Sequence, residues 1–173
     1  MSERQLRDLG QERWSRSETV GLWRTLGYEL RDWDAGRSVV AWQASPDYGF
    51  GTHAGHVVQG GLVTALLDAA MGGACWTVLD DQQIFLTADL RVEFLRSSPA
   101  DAELVATGTV VRATQRVVFC AGELHGPDGV LLATSRCTQV VLPAGHHANR
   151  LRSGDGRTDG TDADAGADGA ALD

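Results

Sequence analysis

The second half of the chain alternates between apolar and polar residues with a period of two. The segment "IFLTADLRVEFLR" at 84–96 shows this pattern most clearly. Its apolar positions are Leu86, Ala88, Leu90, Val92 and Phe94, and its polar positions are Thr87, Asp89, Arg91 and Glu93. This period predicts a β-strand with one solvent-exposed face. Three further strands are predicted from "AELVATGTVVRA", "RVVFCAGELH" and "VLLATSRCTQVVL". Between the last two, "GPDG" predicts a hairpin turn in which proline presets one dihedral angle and glycine supplies a positive φ.

The first half contains two predicted strands and one long apolar helix. "YELRDW" and "RSVVAWQAS" predict strands joined by the turn "DAG", and the turn-rich "PDYGFGTHAGHVV" predicts a loop. A helix is predicted from about Gln59 to Leu79, and it is apolar on every side. Such a helix is expected to be enclosed rather than laid on a surface. The order of elements predicts an α+β fold in which a curved antiparallel sheet covers one helix.

The two ends of the chain have a different character. "SRSETVGLWRTLG" predicts a short helix, whose start is marked by a capping box of Ser15 and Glu18. "SGDGRTDGTDADAGADGAALD" has no apolar periodicity, and we expect it to be disordered. We therefore divide the chain into an N-terminal helical segment at 1–27, a folded domain at 28–142, and a disordered acidic tail at 143–173.

Composition and charge narrow the classes of partner. The chain has 173 residues, enough for one domain with a substantial core, and 43% of them are hydrophobic. The formal net charge of -8 argues against nucleic acid and against an anionic membrane surface as partners. All 15 basic residues are arginines. The absence of lysine excludes a lysine Schiff base and a P-loop, so phosphate must be bound by arginines or backbone N–H groups.

The cysteines and the N-terminus indicate a cytoplasmic protein. Cys75, Cys120 and Cys137 fall within predicted elements and show no motif spacing, so we expect them to be buried and reduced. "MSERQLRDLGQERW" is charged and lacks the apolar region of a secretory signal. The apolar helix is interrupted by a carboxylate, which argues against a membrane span.

That carboxylate, Asp68, is the first candidate for chemistry. Removing a carboxylate from water costs several kcal/mol unless it is paired, and no basic residue lies within two helical turns of it. A structural interpretation is a hydrogen bond from Thr64, one turn earlier. A functional interpretation is favoured slightly, because unexplained buried charge is enriched at active sites.

Gly60 and Gly61, at the predicted helix N-terminus, are the second candidate. The first backbone N–H groups of a helix lack partners, and residues without side chains let a substrate carbonyl approach them closely. Such a pair can form an oxyanion hole, although tight packing is the alternative explanation. Asp68 lies eight residues beyond Gly60, about 12 Å along the axis. One carbonyl cannot contact both, so a site using both requires two chains with antiparallel helices.

"VVQGGLVTALLDAAMGGACW" followed by "LTADLRVEFLR" and three more strands resembles the phenylacetic-acid-degradation-type (PaaI-like) branch of hotdog-fold acyl-CoA thioesterases. The resemblance extends over roughly Leu26 to Leu142. It implies a long helix wrapped by a curved antiparallel sheet. It also implies homodimers with continuous sheets and active sites at the dimer interface, often within a tetramer.

The resemblance also implies roles for individual residues. Gly60 donates its N–H to the thioester carbonyl, and Asp68 of the other chain acts as general base on water or as nucleophile. Thr87, early in the next strand, helps to orient the carboxylate or the water. Many members have a histidine before the glycine pair and an asparagine six residues earlier, where this chain has Gln59 and His53. Gln59 retains hydrogen-bonding capacity, and His53 either positions water or titrates near neutrality.

The substrate groups suggest a further set of residues. The candidates for binding the phosphates of CoA are Arg91, Arg96, Arg112 and Arg116, each of which could equally be a solvated charge on a strand. Gly61 offers a further backbone N–H, and Met71, Trp76 and Phe85 either line the acyl pocket or pack in the core. The pair His53 and His56 lacks a third ligand, so no metal is expected. No cofactor is expected either, since CoA is part of the substrate.

Three functions remain open from the sequence. The first is hydrolysis of an acyl-CoA thioester by a homodimer or a tetramer. The second is non-catalytic binding or sensing of acyl-CoA, against which the presence of Asp68 argues. The third is a hotdog enoyl-CoA hydratase or dehydratase, for which His53 and His56 are the only support.

Overall fold

The computed structural model describes residues 21–53, 55–80 and 83–142. The predicted capping box of Ser15 and Glu18 and the predicted tail at 143–173 lie outside these residues. Of the predicted N-terminal helix, the described part covers Gly21–Leu26 and is named α1.

The described residues form a second, longer helix and eight strands. Helix α2 covers Gly60–Trp76, and the strands are β1 (Tyr28–Asp34), β2 (Arg37–Gln43), β3 (Gly49–Thr52), β4 (Gly55–Val58), β5 (Ile84–Phe94), β6 (Glu103–Ala113), β7 (Val117–His125) and β8 (Leu131–Leu142). Six strands form one antiparallel sheet in the order β1-β2-β6-β7-β8-β5, with β5 at one edge. The predicted α+β fold, with one long helix and a curved antiparallel sheet, is confirmed.

Helix α2 is enclosed by the sheet, as its apolar sequence predicts. It contacts all six strands, and Leu66, Leu67, Ala70 and Met71 are fully buried. Burial of each large side chain contributes roughly 2 kcal/mol relative to exposure. The helix ends at Trp76, before the predicted end at Leu79.

Thr77 explains the earlier end of the helix. Its hydroxyl donates to the carbonyl of Ala74 (2.7 Å) and accepts from the N–H of Gly36 (2.7 Å), in the turn between β1 and β2. A threonine bonded in this way ties the helix terminus to the sheet instead of continuing the apolar surface.

Two small residues set how closely α2 approaches the sheet. The hydroxyl of Ser38 on β2 donates to the carbonyl of Ala70 at 2.6 Å. On β6, a Cβ at Gly108 would overlap that same carbonyl group and the N of Met71. Helix α2 therefore lies against backbone rather than side chains at this point, which fixes its depth in the sheet.

The predicted alternation along β5 is wrong at Ala88. The pairing of β5 with β8 shifts between Thr87 and Asp89, which is a β-bulge at Ala88. Before the bulge, Phe85 and Thr87 face α2; after it, Leu90 packs against the core. A bulge reverses the faces of the residues that follow it, so a polar Thr87 and an apolar Leu90 share the inner face.

The segment predicted as a loop contains regular structure. A short 3₁₀ turn at Pro46–Tyr48 leads into the β3–β4 hairpin. The N–H of Val58, at the end of β4, donates to the carbonyl of Ser98 (2.9 Å). The glycines and the proline of this segment indicated turns, but the pairing partners that make it a hairpin lie too close in sequence to show a strand period.

Two further expectations are confirmed. The turn after β7 has positive φ at Asp128 (61°) and Gly129 (72°). The three cysteines are free and buried.

Neither of the helices in residues 21–53, 55–80 and 83–142 has the length and apolar character needed to cross a bilayer.

The close approach at Gly108 predicts a large effect for Gly108→Ala. The added methyl group would overlap helix backbone, which cannot rotate away, so we expect a loss of about 3 kcal/mol in the free energy of unfolding. Chemical denaturation measures the loss. Gly51→Ala is the matched control, because its new Cβ would have its nearest neighbour, His56 Nε2, 3.9 Å away. Equal stability of the two variants would contradict the packing argument.

Candidate active site

The start of helix α2 presents unused backbone donors. Gln59 is the N-cap, with extended φ and ψ of -63° and 134°, and its side chain does not cap the helix. The first intrahelical bonds run from Leu62 and Val63 to the carbonyl of Gln59 (3.0 and 3.3 Å). The N–H groups of Gly60 and Gly61 precede these bonds and lie at the positive end of the helix dipole.

Neighbouring segments hold this helix start in place. The N–H of Gln59 donates to the carbonyl of Tyr48 (3.1 Å), and β4 is bonded at Val58 to the carbonyl of Ser98. Tyr48 also contacts the ring of Trp42 on β2, with centroids 5.8 Å apart. Because these bonds fix the backbone on both sides, the direction of the Gly60 N–H is set before any ligand binds.

An apolar groove opens beside Gly60. Its volume is about 390 Å³, and Phe50, Val58, Val63, Phe94, Leu95 and Arg96 are among its lining residues. The ring of Phe94 lies against Gly60, since a Cβ there would be 3.2 Å from Phe94 Cζ. The groove therefore combines apolar walls with backbone donors at one end, an arrangement that suits an acyl or pantetheine chain ending in a carbonyl.

Asp68 lies on the same helix and is half-buried in the single chain. Thr87 Oγ1 donates to Asp68 Oδ1 at 3.0 Å. Burial raises the pKa of Asp68 above its ordinary value, and the hydrogen bond from Thr87 opposes that rise. The alternative partner considered from the sequence, Thr64, donates instead to the carbonyl of Gly60 (2.9 Å).

Gln139 is a polar residue near Asp68 that the sequence analysis missed. It is fully buried, and Gln139 Oε1 lies 3.0 Å from Thr87 Oγ1. The alternation along β8 could have indicated that Gln139 is buried. It lies two residues from Cys137 and from Val141, both of which face inwards, so it is on the same face of the strand. A glutamine at a core position of a strand requires hydrogen-bond partners, and here they are Thr87 and Cys137.

Gly60 and Asp68 stand eight residues apart on one continuous helix, so about 12 Å separates them along its axis. A single carbonyl cannot be contacted by both groups of the same chain. Strand β5, which carries Thr87, has one neighbour in the sheet, β8, and its other edge is open in the described part of the chain.

The candidate arginines do not gather at one place. Arg96 lines the groove beside Gly60. Arg91 is exposed on β5 and forms a 3.0 Å ion pair with a glutamate two residues further along that strand. Arg112 and Arg116 are exposed near the turn between β6 and β7. Of the four, it is Arg96 that the structure brings to the helix N-terminus.

The apolar candidates divide between core and site. Met71 is fully buried and accepts a hydrogen bond from Ser135 at its sulfur (3.4 Å), so it belongs to the core. Phe85 lies against Gly72, one helical turn beyond Asp68, and stacks edge-to-face on Trp76 with centroids 5.6 Å apart. These two rings close off the helix face on which Asp68 lies.

The remaining candidates lie on the surface. Gln59 is exposed at the helix start, and its Oε1 would be 3.6 Å from a Cβ on Gly61. His53 is exposed in the turn between β3 and β4, and His56 is exposed on β4. Among the described residues, the hydrogen-bond partner of the Asp68 carboxylate is Thr87. The structure therefore joins these two predicted site residues directly. His53 lies apart from them.

Comparison with known proteins finds similarity to thioesterases. The family model described as "Thioesterase superfamily" matches residues 55–133, which include Gly60, Asp68 and Thr87. The medium/long-chain acyl-CoA thioesterase YigI of Salmonella typhimurium is 28% identical over 131 residues, covering 68% of this chain and 83% of that protein. YigI of Escherichia coli has the same identity and coverage.

Solved structures show the same fold. The PaaI protein from the phenylacetic acid degradation operon of E. coli superposes with a TM-score of 0.69 at 20% identity, covering 78% of this chain and 93% of that one. A phenylacetic acid degradation-related protein from Ralstonia eutropha has a TM-score of 0.63 at 29% identity, with coverages of 70% and 90%. These matches confirm the resemblance drawn from the sequence. The chain is therefore similar to hotdog-fold, PaaI-like thioesterases, and these matches support its being a thioester hydrolase.

Proposed function

We propose that this protein hydrolyses acyl-CoA thioesters to the free acid and CoA, at sites that each combine Gly60 of one chain with Asp68 of its partner. The observation that carries the proposal is a half-buried carboxylate, bonded to Thr87, on the same helix whose N-terminal residue Gly60 lines an apolar groove. The relatives named as medium/long-chain acyl-CoA thioesterases support the choice of acyl-CoA.

The geometry of β5 supports a site made by two chains. An open edge strand can pair with the same strand of a second copy around a two-fold axis. That pairing would continue the sheet and lay the two α2 helices antiparallel. Antiparallel helices bring position 60 of one towards position 68 of the other, which offsets the separation of about 12 Å within one chain.

The chemistry then needs few groups. The Gly60 N–H donates a hydrogen bond to the thioester oxygen as negative charge develops on it, while Asp68 removes a proton from water as that water attacks the carbonyl carbon. Collapse of the tetrahedral intermediate breaks the C–S bond. The proton held by Asp68 passes to the departing CoA thiolate, which restores the carboxylate. Arg96, at the groove, is placed to contact the phosphates of CoA.

Replacing the base tests the function directly. We expect Asp68→Asn to lower the rate of thiol release from acyl-CoA by about 10² to 10⁴, the usual contribution of a general base. The assay is a panel of short, medium, long and aromatic acyl-CoAs with a thiol reagent. If the wild-type protein binds acyl-CoA without releasing thiol, the protein is a binding or sensing protein and the proposal is wrong.

Removing the donor at Gly60 tests the oxyanion hole. Proline is tolerated at the first position of a helix, and the extended Gln59 suits a following proline, so Gly60→Pro deletes one N–H without breaking the helix. We expect kcat to fall by about 10² to 10³. Gly60→Ala is the matched control, because it meets the same ring of Phe94 but retains the N–H.

Mixing these variants tests whether the site spans two chains. A mixed dimer of Gly60→Pro and Asp68→Asn has one site with both defects and one site with neither. Mixed dimers, separated by different tags, should therefore recover about half of the wild-type rate. Mixed dimers as inactive as the two parents would place both groups of a site on one chain.

The pKa of Asp68 predicts the pH dependence. Because burial raises this pKa, the active carboxylate is lost, as pH falls, at a higher pH than for an ordinary aspartate. Thr87→Val removes the hydrogen bond that lowers the pKa, so the acid limb of kcat should move to higher pH, whereas Thr87→Ser should leave it in place. The pH–rate profiles of the three proteins measure this.

The same pKa has a consequence for stability. A raised native pKa means that the wild type loses stability as pH rises through it. Asp68→Asn should therefore be more stable than wild type above that pH and nearly equal below it, as thermal unfolding across pH will show. An Asp68→Asn variant that is less stable at neutral pH would contradict the assigned cost of burial.

A further inference from the structure

Gln139 extends the polar site into the core. It lies on the inner face of β8, and none of its side chain is exposed. One end of its amide, Oε1, is 3.0 Å from Thr87 Oγ1, and the other, Nε2, is 3.2 Å from Cys137 Sγ. Thr87 Oγ1 is also 3.0 Å from Asp68 Oδ1. A hydrogen-bonded network of four side chains therefore runs from β8 to the carboxylate, in the order Cys137, Gln139, Thr87 and Asp68.

The hydroxyl of Thr87 has a single proton and two acceptors within reach. It can donate to Asp68 or to Gln139 Oε1, but not to both. An ionised Asp68 can only accept, and a bond to a charged acceptor is the stronger of the two. If the Thr87 hydroxyl donates its proton to Asp68, no proton is left between Thr87 Oγ1 and Gln139 Oε1. The lone pairs of these two oxygens would then face each other at hydrogen-bond distance, which is unfavourable.

We propose that Gln139 is a positioning residue for Asp68 that acts through Thr87. Whenever Asp68 is ionised, the amide of Gln139 turns its N–H₂ towards Thr87 Oγ1, which commits the hydroxyl proton to the carboxylate. Its oxygen then faces Cys137, whose thiol can donate to it. The inference rests on the proposed function in that Asp68 is the base, and it deepens that function by naming the residue that orients it.

The direction of these hydrogen bonds reverses when Asp68 is protonated. A protonated Asp68 donates to Thr87, Thr87 donates to Gln139 Oε1, and Gln139 Nε2 donates to Cys137. The amide therefore satisfies both protonation states by half a rotation about its last bond, which no apolar residue of similar volume could do. Donors aligned towards a carboxylate stabilise its charged form, so loss of the amide should favour the protonated state.

The ionisable groups around Asp68 are few in the described part of the chain. Cys137 on β8 lies close enough to Asp68 for the two groups to interact electrostatically. Cys120 on β7 lies opposite Cys137 in register, and Cys75 lies further along α2 itself. Asp89 on β5 is exposed beyond the bulge. No arginine or histidine of the described residues forms an ion pair with Asp68. The hydrogen-bonded network through Thr87 is therefore what can offset the rise in pKa that burial causes.

The test is the pKa of Asp68 itself, measured by ¹³C NMR titration of side-chain carboxylates in the ligand-free protein. The signal is assigned by its absence in Asp68→Asn. We expect Gln139→Leu to raise this pKa by about half a unit, the size expected for loss of a neutral hydrogen bond. On a Thr87→Val background, the same change should add nothing, because the contact between Gln139 and Asp68 runs through that hydroxyl.

The controls separate position from packing. Ser135→Ala removes another buried polar group from the inner face of β8, one that bonds Met71 rather than Thr87, and should leave the pKa of Asp68 unchanged. Should the leucine variant fail to fold, Gln139→Met supplies a flexible side chain of similar size. An unchanged pKa, or an equal shift on the Thr87→Val background, would overturn the proposal.

The measurement needs no turnover, so it decides the role of Gln139 even if the protein releases no thiol from acyl-CoA. If thiol release is present, the acid limb of kcat should move with the NMR pKa in Gln139→Leu, and the rates of the two proteins should converge well above that pH. A rate loss equal at all pH values would indicate a structural effect and overturn the positioning role.

Discussion

The bond between Thr87 and Asp68 is the interaction on which the site depends. It joins the central helix to the edge strand, and it is what favours the ionised form of a carboxylate that burial otherwise drives towards protonation. The bond requires Thr87 to face inwards, which the bulge at Ala88 provides. It also requires α2 to lie at a fixed depth, and the close approach at Gly108 sets that depth. Local packing and site chemistry are therefore parts of one arrangement.

The straight helix imposes a second constraint. On α2 the backbone donors without an intrahelical partner lie at the N-terminus, whereas Asp68 lies two turns further along, where it is half-buried and bonded to Thr87. One chain can supply both groups but cannot bring them to the same atom. Under the proposed pairing of two chains at the open edge of β5, a two-fold axis would bring position 60 of one chain close to position 68 of the other.

The sequence pattern predicted the order of elements well, because the strands alternate with a period of two and the helix is an apolar run too long for a strand. The errors arose where one residue or one side chain decides the outcome. The bulge at Ala88 needs knowledge of the pairing with β8, and the partner of Asp68 could not be found from helix spacing, which pointed to Thr64. Gln139 lies 71 residues from Asp68 in sequence, and only the register of the sheet brings them together. The resemblance to a family located Gly60, Asp68 and Thr87 together, and the structure joins the last two.

Two aromatic rings of β5 pack against two glycines of α2, one before and one after Asp68 along the helix. Phe94 lies against Gly60 and Phe85 against Gly72, while Thr87 meets Asp68 between them. Asp68 and Gly72 are four residues apart and share one face of the helix, whereas Gly60 lies about two turns before Asp68. A Cβ at either glycine would lie 3.2 Å from a ring carbon, so the ring would have to move by a few tenths of an ångström. The glycines that look suited only to a ligand thus also allow β5 to pack closely on α2, and Thr87 meets Asp68 between these two contacts.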